Sequence, residues 1–496
     1  RKPLTDSRNS VGAGALMRRK LGISVAMLLG VAGAAQAADL PTSKPAPPPP
    51  PMPTLAACAS PMEFITTNCP LSWYGITIYG TIDMGVAWQS HGTPFNRVAP
   101  FGLEYLVQKN SNKALWSIAP NGLSQSFIGV KATEPLAAGW SFVFNWQLGF
   151  DPYSLQLSNG PLSQEQNNGV PLASQSTNGD SSRAGQWYNG VLYAGLSSTT
   201  FGTLTVGRMN SLTLDGVNAY DPMGGSYAFS VIGFSGATAG VGDTEDTRYS
   251  TAAKYRVDVG QFRAAALYQF GGYAWNNAST DAWELQAGAD VFAGTYGKLA
   301  VDAIYSRVED AVATSPLSTP ALAAKYVGTV ASTISDNTST MLLAKYTYGP
   351  VNIYGGYENI YFAPPTTPQT TYTDIAGLLS VTPNISNTAY TTNQKVLQVF
   401  WTGAKYSATD KLDLTVAYYH YIQDAFGAPA SCSTYGSSSS HCAGTLDAVS
   451  FLADYTFAPK FDVYAGVMFS EVNNGLSNGY LYHTSVDPMA GLRFRF

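Results

Sequence analysis

Charge is scarce in this chain. Only 12% of its 496 residues are Asp, Glu, Lys or Arg, about half the usual share for a soluble globular protein. A soluble chain of this length would divide into roughly two to four domains, yet neither a linker nor a core-like helical pattern breaks the region after Ile76. Histidine is scarcer still: His91, His420, His441 and His483 are the full complement, and none sits in a motif that places a base beside a Ser or Asp nucleophile. There is no Gly-rich strand-to-helix turn to cradle phosphates and no His/Cys group with metal-ligand spacing. Hydrolase, dehydrogenase and metal or nucleotide cofactor chemistry are therefore not expected. Beyond the first forty residues no run approaches the roughly 20 apolar residues of a membrane-spanning helix. If the chain crosses a membrane, it does so with strands.

The sequence begins at Arg1, which is not a translation start. Met17 opens Met17-Arg18-Arg19-Lys20 and the apolar run Leu21 to Ala34, followed by Ala35-Gln36-Ala37. Basic region, short apolar region and A-x-A site together predict a secretory signal peptide cleaved after Ala37, so that residues 1–37 are upstream residues plus leader. Their removal takes away six Lys or Arg and one Asp, leaving 21 basic and 31 acidic residues and a formal net charge of −10. No nucleic-acid partner is expected of an exported anion. Four cysteines form two close pairs, Cys58 with Cys69 and Cys432 with Cys442. Export permits a disulfide in each pair, with free thiols as the alternative. Residues 38–74 read as a periplasmic arm, Pro-rich over Pro45-Ala46-Pro47-Pro48-Pro49-Pro50-Pro51 and then bracketed by Cys58 and Cys69; polyproline favours an extended spacer.

What the chain has in abundance is alternation. In the first run Ile76, Ile78, Ile82, Met84, Val86 and Trp88 share one parity, and Thr77, Thr81 and Asp83 share the other. Phe142, Phe144, Trp146, Leu148 and Phe150 alternate with Ser141, Asn145 and Gln147. Phe262, Ala264, Ala266, Tyr268 and Phe270 alternate with Arg263 and Gln269. Near the end Phe461, Val463, Ala465, Val467 and Phe469 alternate with Asp462, Gly466 and Ser470, and then Leu492, Phe494 and Phe496 with Arg493 and Arg495. One parity suits lipid and the other water.

The connectors are by turns short and long. Short ones fall at Ala137-Ala138-Gly139, Ser198 to Gly202, Gly260-Gln261, Gly294 to Gly297, Gly349-Pro350, Ala408 to Lys411 and Pro459-Lys460. Long polar ones cover about 89 to 124, 151 to 185, 209 to 247, 271 to 281, 311 to 338, 363 to 394, 425 to 445 and 473 to 486. Their strict alternation predicts an all-β fold: a transmembrane antiparallel β-barrel of about sixteen strands over 75–496, with both ends on the short-turn, periplasmic side of an outer membrane. Tyrosines at 346, 348, 354, 357, 361, 418, 419 and 421 cluster near strand ends, where rings form interfacial girdles; rings on the water-facing parity would instead form a sugar track.

Several local patterns resemble the general porins of Gram-negative bacteria. They are Ile78-Tyr79-Gly80-Thr81-Ile82-Asp83, Phe127-Ile128-Gly129-Val130-Lys131, Phe201-Gly202-Thr203-Leu204-Thr205-Val206-Gly207-Arg208 and the terminal Phe496. The resemblance covers Ile76 to Phe496 and implies a sixteen-stranded homotrimer in outer-membrane lipid, open to small hydrophilic solutes and ions, with Phe496 as an assembly signal. It also implies that the third long connector folds into the barrel, setting acids against basic wall residues. Asp221, in Asp221-Pro222-Met223-Gly224-Gly225, is the leading acidic candidate, with Asp215, Asp243, Glu245 and Asp246. Arg208 and Arg248 flank the connector, and Lys131, Lys254, Arg256 and Arg263 complete the basic set. Phe127 stands where many general porins carry arginine. Arg208 shares parity with Leu204 and Val206, so it reaches the lumen only if its strand bulges. Small residues at Ala264, Ala265 and Ala266 would allow close packing of barrels. A substrate-specific channel, an adhesin or structural barrel, and an outer-membrane enzyme are the competing readings.

Overall fold

The computed structural model describes residues 57–90, 114–150, 152–153, 190–232, 248–270, 282–315, 330–364, 366, 385–387, 394–426, 441–477 and 482–496. The leader, the polyproline run and Asp243, Glu245, Asp246 and Cys432 lie outside the described residues. Sixteen strands close into an antiparallel barrel. In chain order they are β1 Ile76–Gln89, β2 Phe127–Ala137, β3 Trp140–Gly149, β4 Leu192–Ser198, β5 Gly202–Asn210, β6 Arg248–Val259, β7 Phe262–Gln269 and β8 Ala282–Gly294. There follow β9 Gly297–Ser315, β10 Val330–Tyr348, β11 Val351–Ala363, β12 Lys395–Thr409, β13 Leu412–Gln423, β14 Gly444–Ala458, β15 Phe461–Asn474 and β16 Thr484–Arg495. Three short segments, Leu71–Trp73, Leu115–Pro120 and Ile385–Asn387, add pairings along β1 and β10.

The tight turns fall where the short connectors predict them, and Gly139, Gly260 and Gly349 supply the positive φ that two-residue hairpins demand. One long connector is shorter than expected from the sequence. The region from 311 to 338 is not all loop, because β9 and β10 stay paired out to Ser315 and Ala331, past an irregularity between Val308 and Ala311. Backbone pairing there outlasts the apolar alternation from which the strand ends were read.

Closure joins β16 to β1, with Gly491 opposite Gly85 and Arg493 opposite Asp83. Phe496 completes the seam: its N–H donates to the Gly80 carbonyl at 3.0 Å, and the Gly80 N–H donates to the Phe496 carbonyl at 2.9 Å. The outward parity exposes large apolar side chains such as Leu204, Val206, Phe262, Val463 and Leu492, as acyl chains require. Ala264 and Ala266 share that face, but Ala265 points inward and is buried. The tyrosines divide likewise. Tyr348, Tyr361 and Tyr418 lie exposed on the outside, whereas Tyr354, Tyr419 and Tyr421 are buried on the inside, so the cluster is only in part a girdle.

The inner face corrects the expectation of a water-facing parity all round. From β9 to β15 the inward positions include Ile304, Met341, Leu343, Ile360, Val399, Trp401 and Met468, all buried in one apolar cluster. What covers them is the third connector. It forms helix α2, Leu212–Tyr220, and then a turn whose Met223, Phe229, Val231 and Ile232 join the same cluster. Each such side chain contributes about 1.5–3 kcal/mol on leaving water, so the inward fold of the third connector is driven as a soluble core is. Two wall glycines form notches for it. A Cβ on Gly403 would stand 2.5 Å from Pro222 Cγ, and one on Gly466 would stand 2.8 Å from the Phe229 ring.

Ahead of β1, a Cys58–Cys69 disulfide closes a small loop. Inside it α1, Pro61–Thr66, is capped by Ser60, whose hydroxyl accepts the Glu63 N–H at 3.1 Å. Phe64 meets Phe494 and Phe496 edge-on at 6.1 and 6.2 Å between centroids, and Lys460 Nζ donates to the Cys69 carbonyl at 2.6 Å. This part of the arm is therefore seated on the seam. Cys442 is also disulfide-bonded. Phe64→Ala is expected to weaken the seam by about 1–3 kcal/mol, the scale of two aromatic contacts. The folded band in an unheated SDS gel would then convert at a lower temperature than in wild type, with conductance unchanged.

Candidate functional site

The third connector is held at both ends of α2 by wall residues. At its start Ser211 accepts the Leu214 N–H at 2.9 Å. Glu284, inward on β8, accepts the Leu212 N–H and, at 3.4 Å, the Thr213 hydroxyl. A carboxylate there satisfies donors that the helix cannot pair itself. At its end Trp401 Nε1 donates to the Tyr220 carbonyl at 3.1 Å, and the Tyr220 hydroxyl meets Asp302 and Arg263.

Asp221, the leading candidate from the sequence, is 2% exposed. Its carboxylate accepts the Tyr419 hydroxyl at 2.6 Å, the Gly225 N–H at 2.8 Å and the Met223 N–H at 3.2 Å. It shapes the turn and bolts it to β13 instead of lining an aperture. Burial pushes its carboxyl above the ordinary range, and the Tyr419 hydroxyl pulls partly against this. Burial and the neighbouring Asp302 likewise push the Tyr220 phenol up.

Asp215, in the first turn of α2, is the acid that meets the basic wall. Lys254 Nζ reaches it at 2.9 Å and Arg256 Nη2 also pairs with it, while Asn210 Nδ2 donates to it at 3.1 Å. These three charges line a cavity of about 480 Å³ with Asn145, Gln147, Tyr193 and Thr205. On its far wall the Tyr79 hydroxyl donates to Asn145 at 2.5 Å, and Gln147 Nε2 donates to Tyr79 at 2.8 Å. The lumen thus has two parts: an apolar one filled by the third connector, and a polar one left open beside β3 to β6.

The remaining candidates scatter. Lys131 is exposed on the inner face of β2, its Nζ 4.9 Å above the Tyr79 ring, and Phe127 meets the same ring edge-on at 5.6 Å. Arg263 is bound to Asp290 at 2.9 Å and Asp302 at 2.7 Å, so it braces the wall below Tyr220. Arg248 pairs with Asn210 at the start of β6. Arg208 does not join the constriction. The register shift between Gly207 and Met209 places its extra residue in β6, between Tyr249 and Ala252, so Arg208 keeps the outward parity of Val206 and its Nε donates to the Gly190 carbonyl at 3.1 Å. Sequence reasoning missed the anchors Glu284, Asp302, Trp401, Tyr419 and Tyr421, whose hydroxyl donates to the Val231 carbonyl at 3.0 Å. The one available signal was a carboxylate in mid-strand, as in Trp283-Glu284-Leu285, which cannot face lipid. Among the described residues no group of three or more His, Cys, Asp or Glu is placed to hold a metal ion.

A profile of the family described as Gram-negative porin matches residues 24–475. Comparison of the sequence with curated proteins returns no match. Among solved structures, the fold is similar to an anion-selective porin from Comamonas acidovorans at 14% identity and a TM-score of 0.54, over 85% of this chain and 99% of that one. It is also similar to OmpT, an outer membrane protein of Vibrio cholerae, in its trimer form, at 14% identity and a TM-score of 0.51, over 85% of this chain and 99% of that one.

Asp221→Ala orphans three buried donors, and a cost of roughly 2–5 kcal/mol is expected to appear as flickering single-channel current when the connector lifts. Because burial raises the Asp221 value, its contribution is fullest below the ordinary carboxylate range and is lost as pH rises through the raised value. Wild-type current should therefore be quieter in acid, and Asp221→Asn should abolish that pH dependence.

Proposed function

The chain belongs to the Gram-negative porin family and forms an outer-membrane channel for passive diffusion, and from that premise we propose that solutes take the polar part of the lumen, past Asp215, Lys254 and Arg256. The observation that carries this reading is the division of the interior. Among the described residues, apolar packing around Trp401, Phe229 and Met468 fills one side, while the cavity beside Asn145 and Arg256 is lined by donors and acceptors. Carboxylate and cations lie in contact along one side of this path, facing the neutral amides of β3 and the phenols of Tyr79 and Tyr193. Their local field orders water and favours small hydrophilic solutes and ions over apolar ones.

No catalytic step belongs to this reading. His420, with Asp447 2.7 Å from its Nδ1, shares the outward parity of Tyr418, away from the lumen. A homotrimer is proposed from the porin fold and from the smooth apolar exterior around Ala264 and Ala266. The Pro-rich segment is proposed as a periplasmic arm whose disulfide-closed end rests on Phe494 and Phe496.

The test is planar-bilayer conductance across a KCl gradient. Wild type should insert in steps of three. Asp215→Asn, which frees Lys254 and Arg256, should move the reversal potential toward anions, and Arg256→Gln should move it toward cations. Steps insensitive to both substitutions would place the path elsewhere in the barrel, and no conductance at all would refute an open channel.

A further inference from the structure

Most lumen cations are committed. Lys254 and Arg256 hold Asp215; Arg493 holds Asp454 and Asp462; and Arg495 holds Asp462. Lys345 is different. It faces inward on β10, opposite Ala300 on β9 and Tyr354 on β11, close to the Gly349-Pro350 turn and therefore near the periplasmic mouth. Among the described residues it forms no ion pair, and its Nζ rests 4.9 Å above the Tyr354 ring.

The next row of inward residues toward the turn runs Lys298, Thr347, Asn352, Lys405 across β9 to β12. Lys345 therefore sits between two further lysines, near enough for their charges to act on it. Lys298 pairs with Asp290 at 2.7 Å and Lys405 with Asp413 at 2.6 Å. Both pairs are part-exposed, and such pairs break easily. The other acids at hand are taken: Asp302 by Arg263, Gln286 and Tyr220, and Asp221 by its own donors. Lys131, also without an ion pair among the described residues and also laid over a tyrosine, stands eight strands away, on the opposite wall of a sixteen-stranded barrel.

We infer that Lys345, flanked by Lys298 and Lys405, is a binding station for multivalent oxyanions of the phosphate class at the periplasmic mouth of the lumen. Lysines are compact charges on flexible stems, suited to passing an anion along without gripping it. A cation over a tyrosine ring is weakly held and turns readily to a stronger partner. Rings or stripes of lysine favour anions in this way, and Lys131 extends the positive field across the lumen. The inference rests on the open channel proposed above.

Inorganic phosphate added to single channels conducting chloride is the test. Wild-type current should fall at roughly millimolar phosphate. Lys345→Gln should need about fivefold more phosphate for the same effect, as expected from losing one charge in a wet site. It should also move the reversal potential in a KCl gradient toward cations. Lys345→Arg, which keeps the charge, should match wild type in both. A Lys345→Gln channel that conducts with wild-type phosphate sensitivity and reversal potential would overturn the station and leave the channel standing. Silence of every variant, wild type included, would instead overturn the channel. Retained gel mobility of the unheated protein confirms that each variant folds.

Discussion

The architecture depends on the clamp between the third connector and the inner wall. Nine residues of helix and a turn lie on a surface made of Ile304, Met341, Leu343, Val399, Trp401 and Met468, which would otherwise face water inside a channel. Burying them is what holds the connector in, and carboxylates at the two ends of the helix set where it lies. Glu284 receives the Leu212 N–H and the Thr213 hydroxyl, and Asp221 organises the turn that follows. Because apolar attraction has no direction, these hydrogen bonds supply the register that the packing alone would leave open. The position of the open path follows, since water and solute can occupy only the side that the connector does not.

The same logic explains why the acid that lines the open cavity is not the one at the tip of the turn. Asp221 is enclosed by Tyr419 and two backbone donors, so its charge is spent on structure. Asp215, one turn from the start of the helix, keeps one edge toward the cavity because Lys254 and Arg256 project from the part of the wall that the connector leaves bare. Below the connector, near the short turns, Lys298 and Lys405 hold Asp290 and Asp413, while Lys345 lies over the Tyr354 ring. A single helix laid across the lumen thereby divides the basic residues into those that brace its end, as Arg263 does, those that line the cavity beside it, and those that lie near the short turns.

The sequence by itself determined the barrel. Alternation in segments such as Phe142 to Phe150 and Phe461 to Phe469, together with hairpin turns at Gly139, Gly260 and Gly349, specifies which side chains meet lipid, because strand parity is a local property of the chain. It allowed a disulfide between Cys58 and Cys69, which the structure shows, while the entry of the third connector was implied only by the resemblance to general porins. The interior was less legible. In a strand such as Lys395–Thr409 both parities are apolar, Val396 and Phe400 outward and Leu397, Val399 and Trp401 inward, so alternation is silent where the connector packs. Which acid is buried, whether Arg208 turns in or out, and where Lys345 is left without a carboxylate were decided only by the tertiary structure. Each depends on residues brought together from distant strands, and on a one-residue irregularity in β6 that no local pattern announces.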